Sequence, residues 1–226
     1  MIRRRFLAAA AAVSTVLAVA PAVAQRPPPS GIVELEPPLA TDSKGKVEVV
    51  EFFWYECPHC YALEPYLEAW IKTLPADVEF RRVPATFNER WMISARVFYT
   101  LEAMGLLDKL HRPLLDAIHK DRLRITDEKQ LTEWLQGKGV DVAKFSATLK
   151  SFAVEGRLKR AMALVAGSKI DGVPALMVNG RYVIPAGIGG SEERMLAIAS
   201  SIIDQQRKAL AAATPAASPA APAKKK

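Results

Sequence analysis

Cysteine and histidine are scarce: 226 residues hold two cysteines and three histidines. So few thiols exclude a multi-bridge disulfide scaffold and a zinc centre made of four cysteines. His59, His111 and His119 supply no second ligand pair, so a closed metal site finds little support. His111 and His119, eight residues apart, read as surface or helix-end residues. Excess charge is also missing from the body of the chain. Arg3, Arg4, Arg5 and three C-terminal lysines account for six of the seven net positive charges, which leaves no basic face for nucleic acid. Long apolar runs are absent except near the N-terminus, where Phe6 to Ala20 is short for a membrane-spanning helix.

The N-terminal run has another reading. Arg3–Arg5, the apolar Ala-rich stretch and Ala22-Val23-Ala24 form the three parts of a secretory signal, so residues 1–24 are expected to be cleaved off after Ala24. Arg3-Arg4-Arg5-Phe6-Leu7 also allows a twin-arginine route, and the choice between routes stays open. Residues 25–31 form a Pro-rich leader, and residues 211–226 an Ala/Pro tail ending in lysines that is expected to be disordered.

Both cysteines lie in one stretch, Glu51-Phe-Phe-Trp-Tyr-Glu-Cys57-Pro58-His59-Cys60-Tyr-Ala-Leu-Glu64. Lys46 to Phe53 reads as a strand. From Cys57 the apolar residues Tyr61, Leu63, Leu67, Trp70, Ile71 and Leu74 recur at near-helical spacing. Pro58 suits a first helical turn, where its missing N–H costs little. Cys57 therefore falls at a helix start, where unpaired N–H groups and the positive dipole end favour a thiolate. Stabilising the thiolate stabilises the reduced pair, so a Cys57–Cys60 disulfide becomes ready to pass to another dithiol. A bridge closing so short a loop adds little as a structural staple, which weakens the plain structural reading.

Cys-Pro-His-Cys after Glu-Phe-Phe and before Tyr-x-x-Glu resembles the DsbA-type periplasmic thiol:disulfide oxidoreductases of the thioredoxin-like superfamily. A strongly depressed cysteine pKa and an oxidising couple are known properties of that family and come with the resemblance. It implies an α/β thioredoxin-like fold with an inserted helical domain. The expected function is donation of the Cys57–Cys60 disulfide to unfolded or newly exported cysteine-containing proteins in the periplasm. Reoxidation by a DsbB-like, quinone-linked membrane protein is implied, with no cofactor, no metal and a monomeric protein. A reductase or isomerase is the alternative, and a peptide-binding chaperone with inert cysteines is another.

Glu51, His59 and Val173-Pro174 take roles from the same resemblance, while Glu56 and Glu64 are read from their positions alone. Glu51, an acid inside an apolar strand, is either a wet edge residue or a buried acid that exchanges a proton with Cys60. His59 either faces solvent or stabilises the Cys57 thiolate, and Pro58 completes the tuning of the motif. Glu56, next to Cys57, should oppose ionisation if it points at the sulfur. Glu64 reads as a solvated first-turn acid. Val173-Pro174, before a strand and an Asn179-Gly180 hairpin turn, looks like the cis-proline loop of thioredoxin-like folds and would dock an extended substrate beside Cys57.

Between these motifs a third strand is expected over Asp77–Val83. Five helical patterns follow, Trp91–Met104, Leu106–Lys120, Asp127–Gln136, Asp141–Phe152 and Val154–Ser168, broken at Gly105, Gly137, Gly139 and Gly167. Trp91, Met92, Phe98, Met104 and Met162 are expected in the core. Ser191–Leu210 reads as a closing helix. Residues 32–90 and 169–210 then form one discontinuous thioredoxin-like domain, and residues 91–168 the helical insertion.

Overall fold

The computed structural model describes residues 30–213. The signal peptide, its cleavage point and most of the 25–31 leader lie outside the described residues, as does the tail beyond Ala213.

The sheet is built around β2 (Val47–Phe53), whose seven residues are all buried. It runs parallel to β3 (Val78–Pro84), with Glu51 opposite Arg82, and the helix α1 (Pro58–Ile71) connects the two strands. On its other side β2 pairs antiparallel with β4 (Ala175–Val178). β5 (Tyr182–Ile184) follows β4, and the two-residue β1 (Val33–Glu34) closes that edge. The strand order is β1-β5-β4-β2-β3.

The β4–β5 turn shows why the sequence carries Asn-Gly there. Asn179 and Gly180 both take positive φ, as a tight hairpin of this kind needs. A Cβ on Gly180 would also stand 2.1 Å from the Leu39 carbonyl oxygen, so no other residue fits.

Between β3 and β4 run α2 (Glu89–Ala103), α3 (Leu107–His119), α4 (Glu128–Gly137), α5 (Val142–Leu149) and α6 (Phe152–Ser168). Asn88, Asp127, Asp141 and Ser151 cap α2, α4, α5 and α6 by accepting from a backbone N–H three residues on. These helices cover the sheet face that carries Val50 and Phe52, sharing a core with Phe98, Leu114 and Val154. The opposite face packs Val47, Val49, Leu176 and Val178 against Leu63 and Leu67 of α1. The last helix, α7 (Glu192–Ala213), adds Met195, Ile202 and Ile203 to that layer. Each such buried aliphatic side chain contributes roughly 1.5–3 kcal/mol.

Several expectations change. Gly167 does not break α6, which runs through it to Ser168 as expected and is capped by Lys169 in the left-handed conformation, because helix contacts outweigh one glycine's entropy cost. Ala211–Ala213 belong to α7 and not to a disordered tail. Met162 is 42% exposed and stands outside the core, since its position on α6 turns away from the sheet. Trp91, Met92 and Met104 are half-buried, and only Phe98 of that group is fully enclosed.

Candidate active site

Cys57 caps α1. Its backbone is extended (φ −83°, ψ 117°), its Sγ accepts the Cys60 N–H at 3.4 Å, and Pro58 opens the helix. Both cysteines are free thiols and both are buried. Hydrogen bonding from the Cys60 side chain, working against desolvation, lowers the Cys57 pKa to about 6, helped by the Cys60 and His59 backbone N–H groups and the His59 side chain. Cys60 moves the opposite way. Desolvation raises it well above an ordinary thiol, and the neighbouring Cys57 and Glu51 charges add to that. One sulfur is thus prepared to be an anion and the other to keep a proton.

The fold brings the remote Val173-Pro174 peptide, which is cis, to this pair. The Cys57 Sγ–H donates to the Val173 carbonyl at 3.5 Å, across 116 residues of sequence. His59 is exposed, and with Leu63, Pro174 and Met195 it lines a groove of about 320 Å³. The groove runs on past Ala186 and Gly187 to the start of α7.

Glu51 lies beneath the pair and is 1% exposed. Desolvation is the main reason its pKa rises to about 8, opposed by Arg82 and reinforced by the charges of Glu64 and Cys57. Arg82 Nε is 3.0 Å from Glu51 Oε2, but the approach is off-line and neither atom makes a hydrogen bond. The same guanidinium donates to Glu64 Oε1 at 2.7 Å. One cation therefore serves two acids.

Glu64 and His111 differ from expectation. Glu64 is buried, not solvated, because the first turns of α1 lie over Arg82 on β3. Despite its desolvation, His111 and Arg82 hold its carboxyl below the ordinary range. His111 is buried, not a surface residue: α3 lays it between Glu64 (3.7 Å) and the Tyr55 hydroxyl (3.0 Å). Desolvation lowers its pKa. His119 does sit at the end of α3, half-buried, stacked on Tyr61 at 4.5 Å and bonded to the Tyr55 carbonyl. Sequence reasoning missed Arg82, Glu64 and His111 as site residues, since only strand pairing and helix docking bring them together.

A cavity of about 530 Å³ lies apart from the cysteines, between β3, α2 and α6. Arg81 and Arg157 line it paired with Glu48 and Glu102, and Arg82 and Arg160 line it as well.

A family model described as the DSBA-like thioredoxin domain matches residues 78–199, from β3 to α7. The thiol:disulfide interchange protein DsbA of Pseudomonas aeruginosa is 42% identical over 177 residues, 78% of this chain and 84% of the relative. This chain belongs to the DsbA family. The family match begins beyond Cys57, but the DsbA of Bordetella parapertussis is 42% identical over 205 residues, 90% of this chain and 97% of its own. Among solved structures, Pseudomonas aeruginosa DsbA superposes with a TM-score of 0.75 at 42% identity, covering 79% of this chain and 93% of that one. Reduced DsbA1 of Neisseria meningitidis gives 0.71 at 26% identity, with 84% and 100% covered. Membership makes this chain a thiol:disulfide oxidoreductase with a thioredoxin-like fold, and Cys57 and Cys60 supply its only thiol pair.

Proposed function

We propose that the protein is an exported dithiol oxidase that gives its Cys57–Cys60 disulfide to cysteine-containing clients in the periplasm. A client thiolate attacks Cys57 Sγ, the Cys57–Cys60 bond breaks, and Cys60 leaves as a thiolate that takes up a proton. Its raised pKa favours that protonation. Glu51, with a pKa of about 8, still holds a proton at neutral pH and supplies it directly or through water. A second client thiolate then attacks the client sulfur of the mixed disulfide. A client disulfide forms and Cys57 leaves as the thiolate that the mouth of α1 stabilises. The client loses two electrons and the protein pair gains them.

The observation that carries this reading is the placement of Cys57 Sγ at the mouth of α1, where it accepts the Cys60 N–H at 3.4 Å while Cys60 is buried behind it, which tunes the two sulfurs in opposite senses. Val173 and Pro174, beside Cys57 at the end of the 320 Å³ groove, hold an extended client segment, and Pro58 and His59 complete the tuning. A DsbB-like, quinone-linked membrane protein removes the electrons. The protein acts as a monomer after cleavage following Ala24. Residues 32–90 and 169–210 form its thioredoxin-like domain, with residues 91–168 as the helical insertion.

Equilibration of the Cys57–Cys60 pair against a glutathione buffer tests the direction. An oxidising couple is expected, and a strongly reducing one would replace the oxidase by the reductase or isomerase. Iodoacetamide trapping at acidic pH tests the chemistry itself, since inert thiols react only in alkali.

A further inference from the structure

Two residues beside the cysteines break local rules. Glu56 sets an acid next to Cys57, at the helix mouth where a thiolate is to be held. Arg90 sets a cation in the first turn of α2, the end of a helix that favours anions. The fold makes them partners. Arg90 Nη2 donates to Glu56 Oε1 at 2.6 Å and Nε to Oε2 at 3.0 Å, a two-pronged pairing. The guanidinium also lies over Trp54 at 5.7 Å, and Trp54 stacks on Trp91 at 4.3 Å. The Glu56 side chain is consequently 11% exposed while that of Arg90 is 62% exposed.

We propose that Arg90 is a positioning residue of the thiol:disulfide site: it offsets the field of Glu56 at Cys57 and ties the first turn of α2 to the catalytic loop. Other charged or titratable groups near the site include Glu51 on β2, Tyr55 in the loop before Cys57, His59 and Glu64 on α1, Arg82 on β3, His111 on α3 and Glu192 on α7, which lines the groove with His59. None of these forms an ion pair with Glu56 among the described residues, so Arg90 alone neutralises it. The inference rests on the oxidase reading, because it concerns how that site keeps its thiolate. Because Arg90 is exposed, salt weakens its influence, and the strength of the oxidant depends on ionic strength.

The test is a thiolate absorbance titration of the reduced full-length protein, with the glutathione equilibrium measured in parallel. It uses wild type, Arg90→Met, Glu56→Gln and the double variant, each at low salt and near 1 M salt. Arg90→Met keeps an aliphatic stem over Trp54, and thermal melting checks that it folds. At low salt Arg90→Met should raise the Cys57 pKa by about half a unit and shift the glutathione equilibrium about threefold toward the disulfide. Glu56→Gln and the double variant should stay at or slightly below the wild-type pKa. The effect of Arg90→Met should vanish at high salt. An unchanged Arg90→Met titration would overturn the inference. So would equal rises in Arg90→Met and Glu56→Gln, the signature of a purely mechanical clamp, and the Glu56→Gln arm holds even if Arg90→Met does not fold. A wild-type Cys57 that titrates like an ordinary thiol would instead remove the oxidase reading.

Discussion

Glu48 and Glu51 stand three residues apart on β2, equally buried, and face opposite sides of the sheet. On the side covered by α2 and α6, Glu48 Oε2 accepts from the backbone N–H groups of Asp42 (2.8 Å) and Ser43 (3.2 Å) and from the Ser43 hydroxyl (3.4 Å). Its Oε1 accepts from Arg81 at 3.2 Å. On the cysteine side Glu51 has, among the described residues, only a misaligned Arg82, shared with Glu64. Burial is the same, and the provision of donors is not. A fully served carboxylate pins a loop to a strand, whereas an underserved one keeps a proton and can give it away. What marks a site here is the missing donors, not the buried charge.

The largest test of that contrast is Glu48→Ala. It strands two backbone donors and leaves Arg81 only the exposed Asp42 carboxylate at 3.4 Å, and should cost about 3–5 kcal/mol in urea unfolding. The Cys57 titration should not move; if it did, the two sides of the sheet would not be separable.

Glu51→Gln should act in the opposite sense. The folded-state pKa of Glu51 is raised from 4.5 to about 8, so the folded protein keeps this proton longer than the unfolded chain. Stability is therefore lost as pH rises through that window. The variant should match wild type below pH 4.5 and exceed it by about 1–3 kcal/mol above pH 8. Unfolding of both reduced proteins at pH 4 and pH 9 reads this directly, and a pH-independent difference would mean that Glu51 is already charged.

A smaller effect comes from Cys57. Its folded pKa is lowered from 9.0 to about 6, so the stability it gives the reduced form is complete above pH 9 and is lost as pH falls through about 6. At pH 7 the gain is roughly 1–2 kcal/mol. The melting temperature of the reduced protein relative to the oxidised one should fall between pH 7 and pH 5. A constant gap would show that the thiolate is not stored in the fold.

The smallest expected effect belongs to His59→Ala on the exposed rim. It should raise the Cys57 pKa by about half a unit in a thiolate titration, since the imidazole is exposed and screened. An unchanged value would leave the tuning to the helix mouth and Cys60 alone.

The site was legible wherever local chemistry sufficed. Cys57 as a cap, Pro58 in the first turn and Asn179-Gly180 as a tight turn follow from backbone preferences that act over a few residues. The succession of helices between β3 and β4 followed from periodicity. Glu64 and His111 misled because helical spacing says which face a residue shares but not what that face meets. Arg82 carried no signal, since an arginine on a strand reads as a solvated edge until parallel pairing sets it opposite Glu51.

By itself the sequence determined that a thiolate-favouring cysteine opens a helix behind a buried strand, and that a Val-Pro turn and a hairpin follow far downstream. These are short-range facts, fixed by capping, turn geometry and apolar period. Only the tertiary structure decided that Glu51 lacks a proper partner, that Arg82 is divided between two acids, that Val173 meets Cys57 and that Arg90 answers Glu56. Proton affinities depend on desolvation and on charges a few ångströms away, and those neighbours come from strands and helices that no local pattern places side by side.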